Sequence, residues 1–566
     1  MKKNEAPSQQ DVTLHSMPGV TIVSPGIMLP IEKSKIDSCL TKFIALSNVP
    51  FSIVEDELFK QYSFALNPKY SLPSRSTIVR NISTIYETAV LKAIDIITNV
   101  KYFSISCDFW SVKRLGIYGL LILYFDDTTK SKKSILLSLK HVEYPHTGKR
   151  VLEITDSLLK KFGTDGIKDI RLTAITCDNG SNMRSAFDKL LPEYNNDGVD
   201  DYSVSDDSDG YISEQETETI EKLVDNYLIE DVDIVGLEVA RRIGCTNHAI
   251  NNNLKSGIKN SSIENFIKKA IDLLVKIKSK GICADILNEK NATIILPPPT
   301  RWTYHFDCFN NMIKIREAIA ICCQKLNIDN LANSEYEILS ELTACLKKYT
   351  EIILKLESPT TPMSKVIPAL ISLKLFLRKA SNLQIIEEFR NALLSDFERR
   401  FCYIFDTSSL NFSEIFLVAT AIDINERKYL SSAILIEQKK FIDTKLDLYT
   451  RFTVDNQIEA NFDTEYEEFT DLQVLPEAHL SEYKSFCSTV STIHNIQFWD
   501  MYKDTFPILY NAHQKILSMS PTSCQIETAF SLAALSSGVK GRRNRLKLIN
   551  LEKENFLKFN KFLLNE

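Results

Sequence analysis

The chain has no CxxC pair, no apolar run approaching the length of a membrane span, and no surplus of basic over acidic residues. Each absence removes a class of protein. Twelve cysteines scattered through 566 residues do not make a small-protein disulfide framework; they suit free thiols in a reducing compartment, the cytosol or nucleus. The longest apolar stretch, Ile117 to Phe125, falls far short of the ~20 residues a spanning helix requires. The opening MKKNEAPSQQDVTLHS lacks the apolar core of a signal peptide, so no membrane or secretory role is expected. A formal net charge of -6 also argues at first against a nucleic-acid partner, because such proteins are usually basic. Its distribution changes that reading. Between Glu193 and Asp233 there are fifteen carboxylates and one lysine, so this stretch carries -14 and the remainder is mildly basic at +8.

Patterning divides what is present. Residues 1–30 are polar with scattered proline and no helical period, and are expected to form a flexible tail. Residues 31–99 carry apolar residues at three- and four-residue spacing in KIDSCLTKFIALSNV and STIVRNISTIYETAVLKAIDIITNV, which predicts amphipathic helices around the proline-containing LNPKYSLPSR. From residue 100 the period shortens. YFSISCDFW, IYGLLILYF and KSILLSLKHV read as three sequential antiparallel strands. A helix VLEITDSLLKKFG ending at Gly163 follows, then a buried strand IRLTAITCD, then a helix SNMRSAFDKLL opened by Ser181 as its cap. Three antiparallel strands followed by helix, strand and helix is the opening order of a ribonuclease-H-like α/β fold.

The acidic segment 193–233 holds too few apolar residues to be buried and is expected to be a solvated insertion. RRIGCTNHAINNNL then reads as a short strand entering a helix, which completes the segment 100–261. Residues 262–500 are helical wherever a pattern is clear, as in IENFIKKAIDLLVKI, FNNMIKIREAIAICC, SKVIPALISLKLFLRKA and FIDTKLDLYTRF. No repeat of fixed length stands out. Residues 501–566 hold further helices and the basic stretch VKGRRNRLK at 539–547.

Two carboxylates stand at strand ends, Asp108 at the end of the first strand and Asp178 at the end of the fourth. If those strands are neighbours, both side chains project at one edge of the sheet, close enough to share divalent cations. Mg²⁺ takes hard oxygen ligands and a small number of carboxylates, and two such ions activate a water or a 3′-hydroxyl and stabilise the leaving oxygen at phosphorus. Aspartate at a strand end is common, however, and these two residues alone do not separate metal chemistry from ordinary solvated termini.

Five blocks sharpen the reading: SISCDFWSV at 104–112, ITCDNGSNMRSAF at 175–187, RIGCTNHAINN at 242–252, RWTYHFDCFNNM at 301–312 and SPTSCQIETAFSLAAL at 520–535. In this order they resemble hAT-superfamily DNA transposases, and LSNVPFSIVEDELFKQYSFALNPKYSLPSR at 46–75 is similar to the helical region ahead of their catalytic domain. The likeness covers roughly residues 36–560. It implies a ribonuclease-H-like catalytic domain interrupted by a large all-α insertion, with a helical N-terminal region. It also implies a DDE triad of Asp108, Asp178 and Glu527 that holds Mg²⁺ or Mn²⁺ for DNA strand cleavage and transfer. Thr528 stands where that motif commonly has arginine.

The remaining motifs each carry two readings. Cys245 and His248 form a CxxH pair, in general half of a zinc site; no second pair lies nearby, and the resemblance implies substrate positioning or shaping of the core. A tryptophan such as Trp302 ordinarily packs in a core, whereas the Arg301-Trp302 dipeptide resembles one whose tryptophan stacks on a flipped base. Arg542, Arg543 and Arg545 read as a solvated face, an import signal or sequence-independent contacts to DNA phosphates. They fall in the segment resembling the family's C-terminal dimerisation region, so a homodimer or higher homo-oligomer is implied. Residues 1–99 supply no ligand set for the BED-type zinc finger of autonomous members: Cys39 is the sole cysteine there and His15 the sole histidine.

The expectation is a nuclear, hAT-like transposase or transposase-derived protein that acts on DNA. The alternative is a catalytically inactive nuclear protein using the same scaffold for DNA binding and dimerisation. A metal-dependent nuclease of another ribonuclease-H-like group accounts less well for the RW, CxxH and C-terminal blocks.

Overall fold

A computed structural model describes residues 30–112, 115–188, 241–297, 303–379, 383–405, 412–413, 415–431, 485–486, 489, 491–537 and 548–564. The acidic segment 193–233, FIDTKLDLYTRF, Arg301, Trp302 and the basic stretch with Arg542, Arg543 and Arg545 lie outside the described residues, as does the tail up to residue 29. The chain divides into two packing units, Met1–Thr88 and Ala89–Glu566.

In the first unit α1 (Pro30–Leu46) is followed by a 3-10 turn, Phe51–Glu55, and α2 (Glu57–Leu66). Asp56 caps α2 by accepting from the Phe59 amide at 3.0 Å. The Tyr70 hydroxyl donates to Asp37 at 2.7 Å. Helix α3 (Arg75–Asn99) begins in this unit and ends in the second.

The second unit is built on a five-stranded mixed sheet in the order β3-β2-β1-β4-β5. Strands β1 (Phe103–Val112), β2 (Leu115–Asp126) and β3 (Ser131–Val142) form the antiparallel meander that their β-branched and aromatic runs predict. Helix α4 (Gly148–Lys161) follows. It packs Val151, Thr155, Leu158 and Leu159, one helical face, inward, and Gly163 beyond it has φ of 81°, the left-handed value that favours glycine after a helix. Strand β4 (Leu172–Cys177) then lies parallel to β1, and β5 (Arg241–Gly244) parallel to β4. Between them α5 (Ser181–Phe187) starts differently from expectation: Gly180 is its N-cap residue, Ser181 is already helical, and no side chain bonds the cap. The Asp178 carboxylate instead accepts from the Gly180 amide at 3.2 Å and shapes the turn into the helix.

Helix α6 (Thr246–Lys259) leaves β5 directly. Beyond it stand α7 (Ile263–Lys278), α8 (Gly281–Glu289), α9 (Thr303–Lys314), α10 (Arg316–Leu326), α11 (Asn333–Glu357), α12 (Val366–Arg378), α13 (Glu387–Arg400) and α14 (Ile415–Ala421). The apolar run FNNMIKIREAIAICC is two helices rather than one, because the chain leaves helical geometry at Ile315 while its apolar spacing continues. One continuous core joins these helices to α6 and reaches the sheet at Ala174 and Ile243.

The chain returns through α15 (Asn495–Tyr502), α16 (Pro507–Ser518), α17 (Cys524–Ser537) and α18 (Leu548–Phe559). Ile526, Ala529, Phe530 and Ala533 of α17 bury against Ile117, Leu121 and Leu123 of β2 and Leu136 and Leu139 of β3. Burying an Ile, Leu or Phe side chain of this set supplies roughly 1.5–3 kcal/mol. Strand β3 is an edge strand whose outer backbone groups need partners. The Asn560 side chain provides them at Leu136, accepting from its amide at 2.9 Å and donating to its carbonyl at 2.8 Å.

Candidate metal centre

Strands β1, β4 and β5 run parallel to one another, so their C-terminal ends meet at one edge of the sheet. Asp108 lies toward that end of β1, Asp178 directly follows β4, and Cys245 and His248 follow β5. The edge where the sequence places its acids is therefore a single place, and in open α/β sheets such edges are where ligands bind.

Glu527, in the first turn of α17, reaches this edge because the segment before it is tied to the sheet. Ser104 donates to the Ser518 carbonyl at 2.7 Å and Thr176 to the Ser520 carbonyl at 2.9 Å. The Thr246 amide donates to the Pro521 carbonyl at 3.0 Å, and the Ser523 amide to the Cys245 sulfur at 3.3 Å. Close approach of α17 also depends on Gly119, which pairs with Asp108 across β1 and β2. A Cβ at Gly119 would stand 2.7 Å from the Ile526 side chain, one residue before Glu527. Sequence reasoning missed Gly119, Ser104 and Thr176, since a glycine or hydroxyl inside a strand carries no sign of a partner four hundred residues away.

Among the described residues, Asp108, His248 and Glu527 form a group whose ligand atoms lie within 4.8 Å of one another. His248 Nε2 is 3.7 Å from Glu527 Oε1, an ion-pair distance rather than a hydrogen bond. Asp178 is outside this three-residue group, although its charge acts on both Asp108 and His248. Two carboxylates and an imidazole are a donor set that suits a divalent ion.

Electrostatics mark the same place. Burial pushes the Asp108 carboxyl up to about 7; His248 opposes that rise and Asp178 adds to it, while the Phe109 amide stabilises the carboxylate from 2.7 Å. Burial would pull His248 down, but Cys245, Asp108 and Asp178 outweigh it and raise the imidazole to about 10. About a third of the His248 side chain remains exposed at 33%, so solvent tempers this attraction. Burial disfavours the Cys245 thiolate, yet Cys524, His248 and the Ser523 side chain hold its pKa well below the ordinary thiol range. The metal-capable group includes His248 without Cys245.

A further residue bears on Asp178. Arg242, on β5, donates to Asn179 Oδ1 at 2.9 Å and to the Asp178 carbonyl at 3.5 Å, while its Nε pairs with Asp188 at the end of α5. One guanidinium fork thereby ties the turn after β4 to the helix that follows it.

Comparison with known sequences bears on the same C-terminal helices. Residues 476–560 match the hAT family C-terminal dimerisation region, starting ahead of the boundary expected at 501. Two Zea mays proteins named as AC transposase and AC9 transposase are 24% and 26% identical over 151 residues. The chain is in part similar to hAT-superfamily transposases. Each match spans 26% of this chain and 18% of the maize protein's length. The hAT dimerisation region contains α17 and α18, so the segment named for self-association also delivers Glu527 to the sheet edge. Among the described residues no helix is long and apolar enough to cross a membrane.

Proposed function

We propose that the chain is a metal-dependent DNA transposase of hAT type, in which Asp108, Asp178 and Glu527 act as a DDE triad on a ribonuclease-H-like sheet. The observation that carries this reading is the meeting of Asp108 and Glu527 beside His248 at the parallel-strand edge that Asp178 also borders. The strand order β3-β2-β1-β4-β5, with a helical block between β5 and the helix bearing the last acid, supports the fold assignment. Mg²⁺ or Mn²⁺ bound by these carboxylates would supply the charge for attack of water or a 3′-hydroxyl at phosphorus and for departure of the leaving oxygen.

The protein's own groups set the stage for that chemistry. The Phe109 amide orients the Asp108 carboxylate, and Arg242 fixes the turn that carries Asp178. Before a metal binds, a protonated His248 offsets part of the negative charge of the acids at this edge. Arg301 and Trp302 belong to the proposed contact with an unpaired base, and Arg542, Arg543 and Arg545 to contacts with the DNA backbone. The protein is proposed to work in the nucleus as a homodimer or higher homo-oligomer assembled through the C-terminal region.

The test is Mg²⁺- or Mn²⁺-dependent cleavage of DNA carrying the flanking terminal repeats, compared with Asp178→Asn. Cleavage by the unaltered protein and a loss of at least a hundredfold in the variant is the expected result. Equal product from both would reject the assignment.

A further inference from the structure

We infer that His248 is itself a ligand of the metal held by Asp108 and Glu527, which makes this a mixed nitrogen and oxygen centre selective for Mn²⁺ over Mg²⁺. The inference deepens the metal-dependent reading above and rests on it.

Geometry carries it. Ligand atoms of Asp108, His248 and Glu527 lie within 4.8 Å of one another, whereas ligands at about 2.1 Å from an octahedral ion stand ~3 Å apart when adjacent and ~4.2 Å when opposite. The 3.7 Å from His248 Nε2 to Glu527 Oε1 falls between those separations, so a small contraction brings both onto one ion. Backbone anchoring makes the arrangement specific. His248 sits in the first turn of α6, whose Thr246 amide donates to the Pro521 carbonyl just ahead of α17. The segments that lead into the helices bearing His248 and Glu527 are therefore joined, which holds the starts of the two helices together. Nδ1, the other ring nitrogen, is buried, and it is Nε2 that faces Glu527. Asp178 lies outside the group and is left to complete the centre through its charge or a second ion.

Donor chemistry then sets the preference. Mg²⁺ takes oxygen ligands almost exclusively, whereas imidazole suits the transition metals; Mn²⁺ accepts both oxygen and nitrogen.

The deciding measurement is pulsed electron paramagnetic resonance of Mn²⁺ bound to the full chain. It should show ¹⁴N coupling from a directly bound imidazole, converting to the ¹⁵N pattern when histidine is isotopically labelled. His248→Gln should abolish the coupling and weaken Mn²⁺ binding at least tenfold. His248→Asp, which replaces nitrogen with oxygen, should keep the ion, lose the coupling and bind Mg²⁺ and Mn²⁺ with nearly equal affinity. Bound Mn²⁺ without nitrogen coupling in the unaltered protein overturns the inference and leaves the carboxylate reading standing. Coupling that persists in both variants assigns the nitrogen to another histidine and also overturns it. No Mn²⁺ binding at all removes both readings. The labelling experiment on the unaltered protein decides the matter even if a variant fails to fold.

Discussion

Two residues with no chemistry of their own decide whether the acids meet and whether the surrounding fold survives acid. Gly119 is the first. Its missing Cβ is the space that Ile526 occupies, and Glu527 is carried on the next residue of α17. Gly119→Ala is expected to destabilise the protein by about 1–3 kcal/mol, the usual effect of overpacking, and to weaken metal binding because α17 moves off β1. Ile526→Ala alone leaves a cavity and costs about 2–5 kcal/mol. The double variant should be more stable than the sum of the two losses, because the new methyl fills the space vacated. Denaturant titration of the four proteins tests this, and strict additivity would refute the contact. His513 is the second. Burial lowers its imidazole to about 3, and the ring stacks on Trp499 at 5.2 Å. A histidine buried neutral gives stability that is complete above its unfolded pKa of about 6.5 and lost as pH falls toward the folded value, at about 1.4 kcal/mol per pH unit. Between pH 7 and pH 5 the unaltered protein should lose stability more steeply than His513→Leu, with equilibrium unfolding at the two pH values as the readout.

At the scale of elements, the turn after β4 and the helix α5 are held by one side chain. Arg242→Gln can keep neither the ion pair with Asp188 nor the two-point hold on residues 178 and 179. Cleavage is expected to fall ten- to hundredfold, the range typical of residues that orient a metal site from behind, with a lowered melting temperature because the Arg242 side chain is only 15% exposed and its loss takes an ion-pair partner from Asp188. A variant with full cleavage rate would show that the turn holds its shape unaided. The elements themselves differ in how far sequence reveals them. Strands β1 to β4 and helix α4 were legible because each is a short- or long-period apolar run whose local pattern matches its burial. The break at Ile315 was not, since apolar spacing runs unbroken through FNNMIKIREAIAICC, and neither was the N-cap at Gly180, where a serine one residue on offered the more familiar signal. For the candidate site, motif order pointed to Asp108, Glu527 and His248, which the fold brings together, and to Asp178, which lies outside that three-residue group. Their relative placement could not be read from it. Glu527 reaches the sheet through hydrogen bonds from Ser104, Thr176 and Thr246 to residues 518–521, contacts hundreds of positions apart that leave no periodic trace.

For the molecule as a whole, the C-terminal region completes the fold with one surface and leaves another for the proposed self-association. Its inner surface belongs to the sheet: Ile526, Ala529, Phe530 and Ala533 complete the core over β2 and β3, Asn560 closes the outer edge of β3, and Ser138 donates to Glu552 at 2.6 Å. A chain ending before residue 476, where the dimerisation match begins, would expose that sheet face and its edge strand, and should be recovered as aggregate rather than as a folded monomer. The outer surface is separable. Met501 and Ile549 lie within the matched region with 66% and 56% of their surfaces exposed, large apolar side chains that contribute little to the core. Met501→Asp with Ile549→Asp is therefore expected to leave the melting temperature within a few degrees of the unaltered protein while shifting the sedimentation profile from dimer or larger assembly toward monomer. Because α17 carries Glu527 on its inner side, Mn²⁺ binding should survive in that monomer. Unchanged sedimentation would place the self-association surface elsewhere in the region. Loss of the metal together with the dimer would mean instead that the second subunit helps hold α17 against the sheet.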